Sequence, residues 1–221
     1  MISDLAFELA GTIHHDGHGG VADDLTSPAA LTAWVRDRAA LFNDRAALLG
    51  DRAGDRPDGS LTDRAEGWAG DFDADEASHR AVLGLRAAIR SLFGYAVSPT
   101  PPSRADAGRL LPLDEALRRV NGAASAVPVT LELEWESTET EPLARTVTAP
   151  STPEAALTGA LARAAIAFLT GPHRANLRAC SAPRCVRYFV REHGRQEFCK
   201  ASCGNRARAA RHYQRHHPAQ P

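Results

Sequence analysis

The stretch CSAPRCVRYFVREHGRQEFCKASCGNRARAARHYQRHH, Cys180–His217, holds all four cysteines of the chain and a run of arginine and histidine. Its spacing is Cys180-x4-Cys185, then thirteen residues, then Cys199-x3-Cys203. Two close pairs divided by a short loop let a chain wrap one tetrahedral ion, each pair giving two thiolates from a tight turn. A segment of about 40 residues cannot build a core large enough to hold itself, so a structural metal is the expected staple. Four sulfur ligands leave no open coordination position, which points to one structural Zn2+ and away from metal catalysis. Two disulfides, free buried thiols or an iron–sulfur cluster are the competing uses, and a cytosolic setting disfavours the disulfides.

Charge is distributed unevenly around this segment. The 221 residues carry a formal net charge of −1, yet Cys180–His217 holds eight arginines and Lys200 against Glu192 and Glu197, a local +7 that leaves −8 on the rest. An acidic body with a basic tail suits an anionic partner. Some of the positive charge serves the metal instead, since four thiolates and Zn2+ sum to −2. Helical geometry sorts the two uses from Gly204 onward. At 100° per residue Arg208, Arg211, His212 and Arg215 share one stripe, while Arg206, Ala210 and Tyr213 share the opposite side. Arg206 and Tyr213 are therefore expected to face inward, and the stripe to face solvent or the phosphates of a nucleic acid. Lys200 is the only lysine, so arginine is favoured throughout and arginine position carries more information than arginine identity.

Working outward, the rest of the chain reads as mostly α with a small antiparallel β-hairpin, an α+β body over 1–172, followed by a four-cysteine finger and basic helix over 173–221. Ser27-Pro28 opens a helix over 28–43 with Leu31, Trp34, Val35, Leu41 and Phe42 at helical spacing. Residues 51–72 are rich in Asp, Gly and Arg and read as an irregular connection. Val82, Leu85, Ile89, Leu92 and Phe93 mark a second helix, with Gly94 placed to end it. Leu113, Ala116, Leu117 and Val120 mark a short third. In VPVTLELEW, Val127–Trp135, apolar residues alternate with polar ones as in a strand, and a partner at 143–149 makes a hairpin. Ser151 and Glu154 have capping-box spacing before the stripe Leu157, Ala160, Leu161, Ala164 and Phe168, and TGPH ends that helix. No segment is long and apolar enough for a membrane span, and the acidic N-terminus does not read as a secretory signal, so the cytoplasm is the expected location.

The segment Cys203-Gly204-Asn205-Arg206, closing a four-cysteine set and opening a basic helix, resembles the CGNR zinc finger family. Leu177, Phe189 and Phe198 add to the likeness. In that family the finger follows a mostly helical ABATE domain. The resemblance implies a bacterial stress-response or general transcription regulator, nucleoid-associated when bound to DNA, whose body takes a small-molecule effector. LTSPAALTAWV, Leu25–Val35, fits the family's N-terminal pattern well. LAFELAGTI aligns more loosely, with Glu8 at an acidic position, Gly11 where Asn is usual and Thr12 matching, so Glu8 and Thr12 are the implied effector contacts. Arg191 and His193 stand where the family often has an acidic residue and a small hydroxyl. Gly204, Asn205, Arg206 and Tyr213 are the implied supports of the finger.

Other motifs compete. His14, His15, Asp16 and His18 are metal-capable types, but the glycines around them favour a solvated loop. Trp34, Trp68 and Trp135 read as core. His212, His216 and His217 gain charge in mild acid and strengthen anion binding. No phosphate loop with its lysine and no Gly-x-Ser-x-Gly elbow is present, which argues against an enzyme. The leading expectation is a zinc-stapled DNA-binding regulator, with homodimerisation plausible because one short helix binds weakly alone. The alternative is an adaptor for protein or RNA without duplex specificity. Replacing one cysteine is expected to unfold the finger and leave the body's own transition nearly intact.

Overall fold

The computed structural model describes residues 5–18, 20–43, 68–135 and 137–216. Helix α1, Leu5–Gly11, buries Leu5, Ala6, Leu9 and Ala10 and leads into the hairpin β1, Ile13–His15, and β2, Val21–Asp23, in which Ile13 pairs with Asp23 and His15 with Val21. Ser27 caps α2, Pro28–Arg36, by accepting from the Ala30 N–H at 3.2 Å, with Pro28 in the first turn. The single helix expected over 28–43 is broken at Asp37 and Arg38 before α3, Ala39–Asn43. Arg38 there turns to Glu8, donating from Nε at 3.0 Å, and lays its guanidinium over the Trp34 ring at 4.9 Å. Most of the connection expected over 51–72 lies outside the described residues, and its last part is a short helix, α4, Trp68–Asp71.

The spine is α5, Glu76–Ala96, opened by a reciprocal cap in which the Ser78 N–H donates to Asp75 Oδ1 at 2.7 Å and the Asp75 N–H to Ser78 Oγ at 2.9 Å. Gly94 does not end this helix. It is a close-approach glycine, where an added Cβ would stand 2.8 Å from Leu110 Cδ2 and 3.3 Å from Pro102 Cβ. Helix α6, Leu113–Ser125, buries Ala116 and Val120 and leaves Leu113 and Leu117 half exposed. Strands β3, Val129–Glu134, and β4, Leu143–Thr148, form the expected hairpin in the register Val129↔Thr148 to Glu134↔Leu143. Its apolar face is not core. Leu131 and Leu133 are over 70% exposed and Trp135 is 55% exposed, because the hairpin stands away from the helices. Helix α7, Pro153–Thr170, is capped by Thr152 in place of the expected Ser151–Glu154 box, since Pro153 takes the first helical position and makes its predecessor the cap.

Helices α1, α5, α6 and α7 enclose the main core, where Phe7, Phe93 and Phe168 meet edge-on or tilted at centroid distances of 4.6–5.4 Å. A 3-10 turn, Pro172–Asn176, leads to β5, Leu177–Ala179, paired antiparallel with β6, Tyr188–Val190. The last element is α8, Ala201–His216. Leu177 and Tyr188 belong to the main core, and the Tyr188 ring lies 5.6 Å from that of Phe93. Finger and body are therefore joined by packing.

Candidate metal centre and the surfaces around it

Each cysteine pair sits on a backbone turn that fixes its direction. The Cys180 N–H bonds the Arg187 carbonyl at 2.9 Å at the end of the β5–β6 ladder, and the Cys185 N–H bonds the Ala182 carbonyl at 3.0 Å. Between them Arg184 holds a left-handed backbone, φ +64°, the geometry a tight knuckle needs and one that usually falls to glycine. Cys199 precedes α8 and Cys203 lies in its first turn, with the Cys203 N–H on the Lys200 carbonyl at 3.0 Å. Ala182, Phe189 and Phe198 pack against the four thiols as a second small core.

The four sulfurs lie within 4.8 Å of one another. Cys185 Sγ is 3.7 Å from Cys199 Sγ, and Cys199 Sγ is 3.5 Å from Cys203 Sγ. Four sulfurs held tetrahedrally at about 2.3 Å from one Zn2+ stand ~3.8 Å apart, so the residues present fit that ion. Their acid–base character agrees. Donation from the Cys180 and Cys199 thiols holds Cys185 far below the usual thiol range, while the same contact pushes Cys180 up to about 11 and Cys199 higher still. Thiols this close cannot all ionise unless a cation takes the place of their protons. Arg206 Nη2 donates to Cys203 Sγ at 3.2 Å, so one arginine serves the metal site, as its position on the helix implied. Gly204 is buried under Phe198, where an added Cβ would rest 3.5 Å from the ring, and exposed Asn205 accepts from Arg208 through Oδ1.

A family model described as "ABATE: Putative stress-induced transcription regulator" matches residues 3–172, and one for the CGNR zinc finger matches residues 176–216. The chain belongs to the ABATE family. Its C-terminal segment is a CGNR finger holding one structural Zn2+ on Cys180, Cys185, Cys199 and Cys203. Comparison with curated proteins found no match. No helix among the described residues is long and apolar enough to cross a membrane.

Beyond Ala207 the CGNR helix leaves the rest of the molecule, and every residue from Arg211 to His216 is exposed. Arg208, Arg211, His212 and Arg215 line one open cleft together with Ala209 and Gln214. Tyr213 was expected to face inward and is 63% exposed, because helical phase buries a residue only where the helix has something to pack on. The His212 and His216 rings stack at 4.3 Å, and His217 lies outside the described residues.

Glu8 and Thr12 both border a cleft of about 400 Å3 between the ABATE body and the finger, walled also by Trp34, Arg38, Arg187 and Lys200. Glu8 is paired with Arg38. Thr12 is already engaged, its hydroxyl donating to the Leu9 carbonyl and accepting from Arg86 Nη1, each at 2.7 Å. Trp34 was read as plain core, yet it borders the cleft and its buried Nε1 has no hydrogen-bond partner.

The histidine segment is an exposed loop at Asp16–His18 and Gly20, as expected, but its first two residues are half-buried in a strand. His14 and His15 form β1, and only its tip is exposed, where Asp16 Oδ1 accepts from the His18 and Gly20 N–H groups at 2.8 and 2.9 Å. His14 donates from Nε2 to Asp24 Oδ1 at 2.8 Å and lies 3.1 Å from the His15 carbonyl through Nδ1, contacts that raise its pKa above the usual imidazole value. Arg86 grips Asp23 with two 2.6 Å bonds, which tie β2 to α5. Burial alone would push the Asp23 carboxyl up, but these bonds and the Leu25 N–H hold it down.

Sequence reasoning missed the network that seats the finger. Arg90, 2% exposed, donates to Asp106 through Nε and Nη2 at 2.9 Å each, to the Ala10 carbonyl at 2.5 Å and to the Val186 carbonyl at 3.1 Å. Tyr188 Oη donates to Asp106 Oδ2 at 2.8 Å and accepts from the Ser103 N–H at 3.2 Å, while Ser103 Oγ donates to the Val186 carbonyl at 2.8 Å. Arginine at a helix position between Ile89 and Ser91 was the available signal, since the apolar stripe there implies burial and a buried guanidinium demands partners.

Proposed function

We propose that this ABATE-family protein regulates transcription by laying the free end of its CGNR helix against duplex DNA. The observation that carries the reading is the helix itself. Residues 201–216 contain no carboxylate, and three arginines and a histidine share its exposed face. Such a stripe suits phosphate contacts that position the helix and base-edge contacts that specify a site. The cleft beside Trp34 suits a small-molecule effector, because a bound molecule with a hydrogen-bond acceptor would satisfy the orphaned indole N–H and touch body and finger together. The four thiols are committed to the metal, which favours a binding role over an enzymatic one. A second copy would supply the second half-site that one helix lacks, and sedimentation of the zinc-loaded chain tests that.

The test is fluorescence anisotropy with a mixed-sequence duplex across salt concentrations. Wild type is expected to show a log–log salt slope of about −3, and Arg208/Arg211/Arg215→Ala a slope near zero. A second reading, an RNA-binding adaptor, draws support from Tyr213, an exposed ring among arginines that suits stacking on an unpaired base. Tighter binding of single-stranded RNA than of duplex, lost in Tyr213→Ala, would favour it.

A further inference from the structure

A second cavity lies where the β1–β2 hairpin meets the foot of the finger helix. It measures about 210 Å3, well beyond the ~30 Å3 share of one water, and is lined by His14, His15, Arg187, Lys200, Ser202 and Arg206. Cys185 and Cys203 also border it. Two buried side-chain N–H groups of these lining residues, closed to solvent, have no partner. The Gly17 N–H donates to His15 Nδ1 at 2.7 Å, so the neutral ring carries its proton on Nε2, and that nitrogen is buried and unbonded in a side chain only 10% exposed. Arg206 Nε is the other. Among the described residues no carboxylate lies within ion-pair distance of Arg187, Lys200 or Arg206.

From these features we infer a tetrahedral-oxyanion site of the phosphate class, in which His15 Nε2 and Arg206 Nε donate to the anion and Arg187 and Lys200 supply charge. Three fixed cations outweigh the −2 of a zinc-filled four-thiolate centre, so the cavity keeps a positive excess. The opening turn of a 16-residue helix, with the Ser202 hydroxyl in it, adds a favourable dipole. A phosphate there would tie the N-terminal hairpin to the finger, two segments about 190 residues apart that the charge pattern alone leaves unrelated. Arg187 and Lys200 also wall the larger cleft, so the two cavities share side chains. The anion could be a free phosphate or phosphomonoester, or a phosphate of a nucleic-acid backbone. The inference does not depend on the DNA reading, since either source fills the site.

The experiment uses the zinc-loaded full chain and inorganic phosphate in equilibrium dialysis at constant ionic strength, with chloride as the reference anion. Near one phosphate per chain is expected at saturation, with affinity at least tenfold weaker in His15→Gln and in Arg187→Gln while each variant keeps one zinc. In a parallel arm, duplex affinity is measured with and without saturating phosphate. Competition, with a matching loss of at least fivefold in His15→Gln, assigns the site to the nucleic-acid backbone. Phosphate binding without competition assigns it to a free phosphate. If phosphate shows no preference over chloride up to 10-fold above ordinary cellular millimolar levels and His15→Gln leaves duplex affinity unchanged, the inference is overturned.

Discussion

Tyr188→Phe isolates the seam between finger and body. The substitution keeps the ring against Phe93 and removes only the hydroxyl, which serves both Asp106 and the Ser103 N–H. A hydrogen bond to a charged group contributes about 1.5–3 kcal/mol net, and leaving the buried Ser103 donor unpaired adds to the loss. Arg90 still holds Asp106, so the carboxylate is not stranded. The expected cost is therefore about 2–3 kcal/mol, or a fall in Tm of ~4–12 °C for a chain of this length. The assay is urea unfolding followed in parallel by tryptophan fluorescence, which reports the body through Trp34 and Trp68, and by zinc capture with a chromophoric chelator. Both midpoints should move together, because Leu177 and Tyr188 belong to the same core as α1, α5 and α7. A loss below about 0.5 kcal/mol, or a shift in zinc capture with an unmoved fluorescence transition, would refute the idea that the hydroxyl couples the two parts.

Cys203→Ser should abolish stoichiometric zinc binding and also lower the body's own transition by at least ~3 kcal/mol, since an unravelled finger withdraws Leu177 and Tyr188 from the main core; an unchanged body in calorimetry would restore the expectation of an independent finger. The Tyr188 hydroxyl has a pKa raised by burial and by the Asp106 carboxylate, so the folded chain holds that proton more tightly than the unfolded one. Its contribution is present below about pH 10 and is lost as pH rises beyond, by up to ~1.4 kcal/mol per pH unit, a slope that Tyr188→Phe should remove in alkaline urea titrations. Arg184→Gly should leave stability unchanged or raise it by up to about 1 kcal/mol, whereas Arg184→Val should lower it and weaken zinc retention in chelator competition, because only glycine adopts φ +64° freely. Trp34→Phe should lower thermal stability by about 1–2 kcal/mol, since the packing lost by shrinking a buried ring that carries Arg38 and meets Phe42 outweighs the removal of an orphaned donor.

Local rules made much of the fold legible. Helix periodicity located α2, α5, α6 and α7, period-two alternation located β3, and cysteine spacing located the metal site, because each depends on neighbours a few residues apart. The errors have one origin. Gly94, Trp135 and Tyr213 were assigned from their own element's pattern, but their fates were set by what packs against that element. Pro102 and Leu110 crowd Gly94, and Trp135 and Tyr213 stay more than half exposed.

The four-cysteine cluster, the acidic body and the basic tail were determined by sequence alone, since ligand type, spacing and net charge do not depend on how the helices cross. The tertiary structure alone decided that Arg90, Asp106 and Tyr188 meet, that Trp34 keeps an unpaired N–H beside a cleft, and that His15 faces the foot of the finger helix. Those contacts join residues 80 or more positions apart in several cases, and no local propensity encodes which distant donors will be brought together when the core closes.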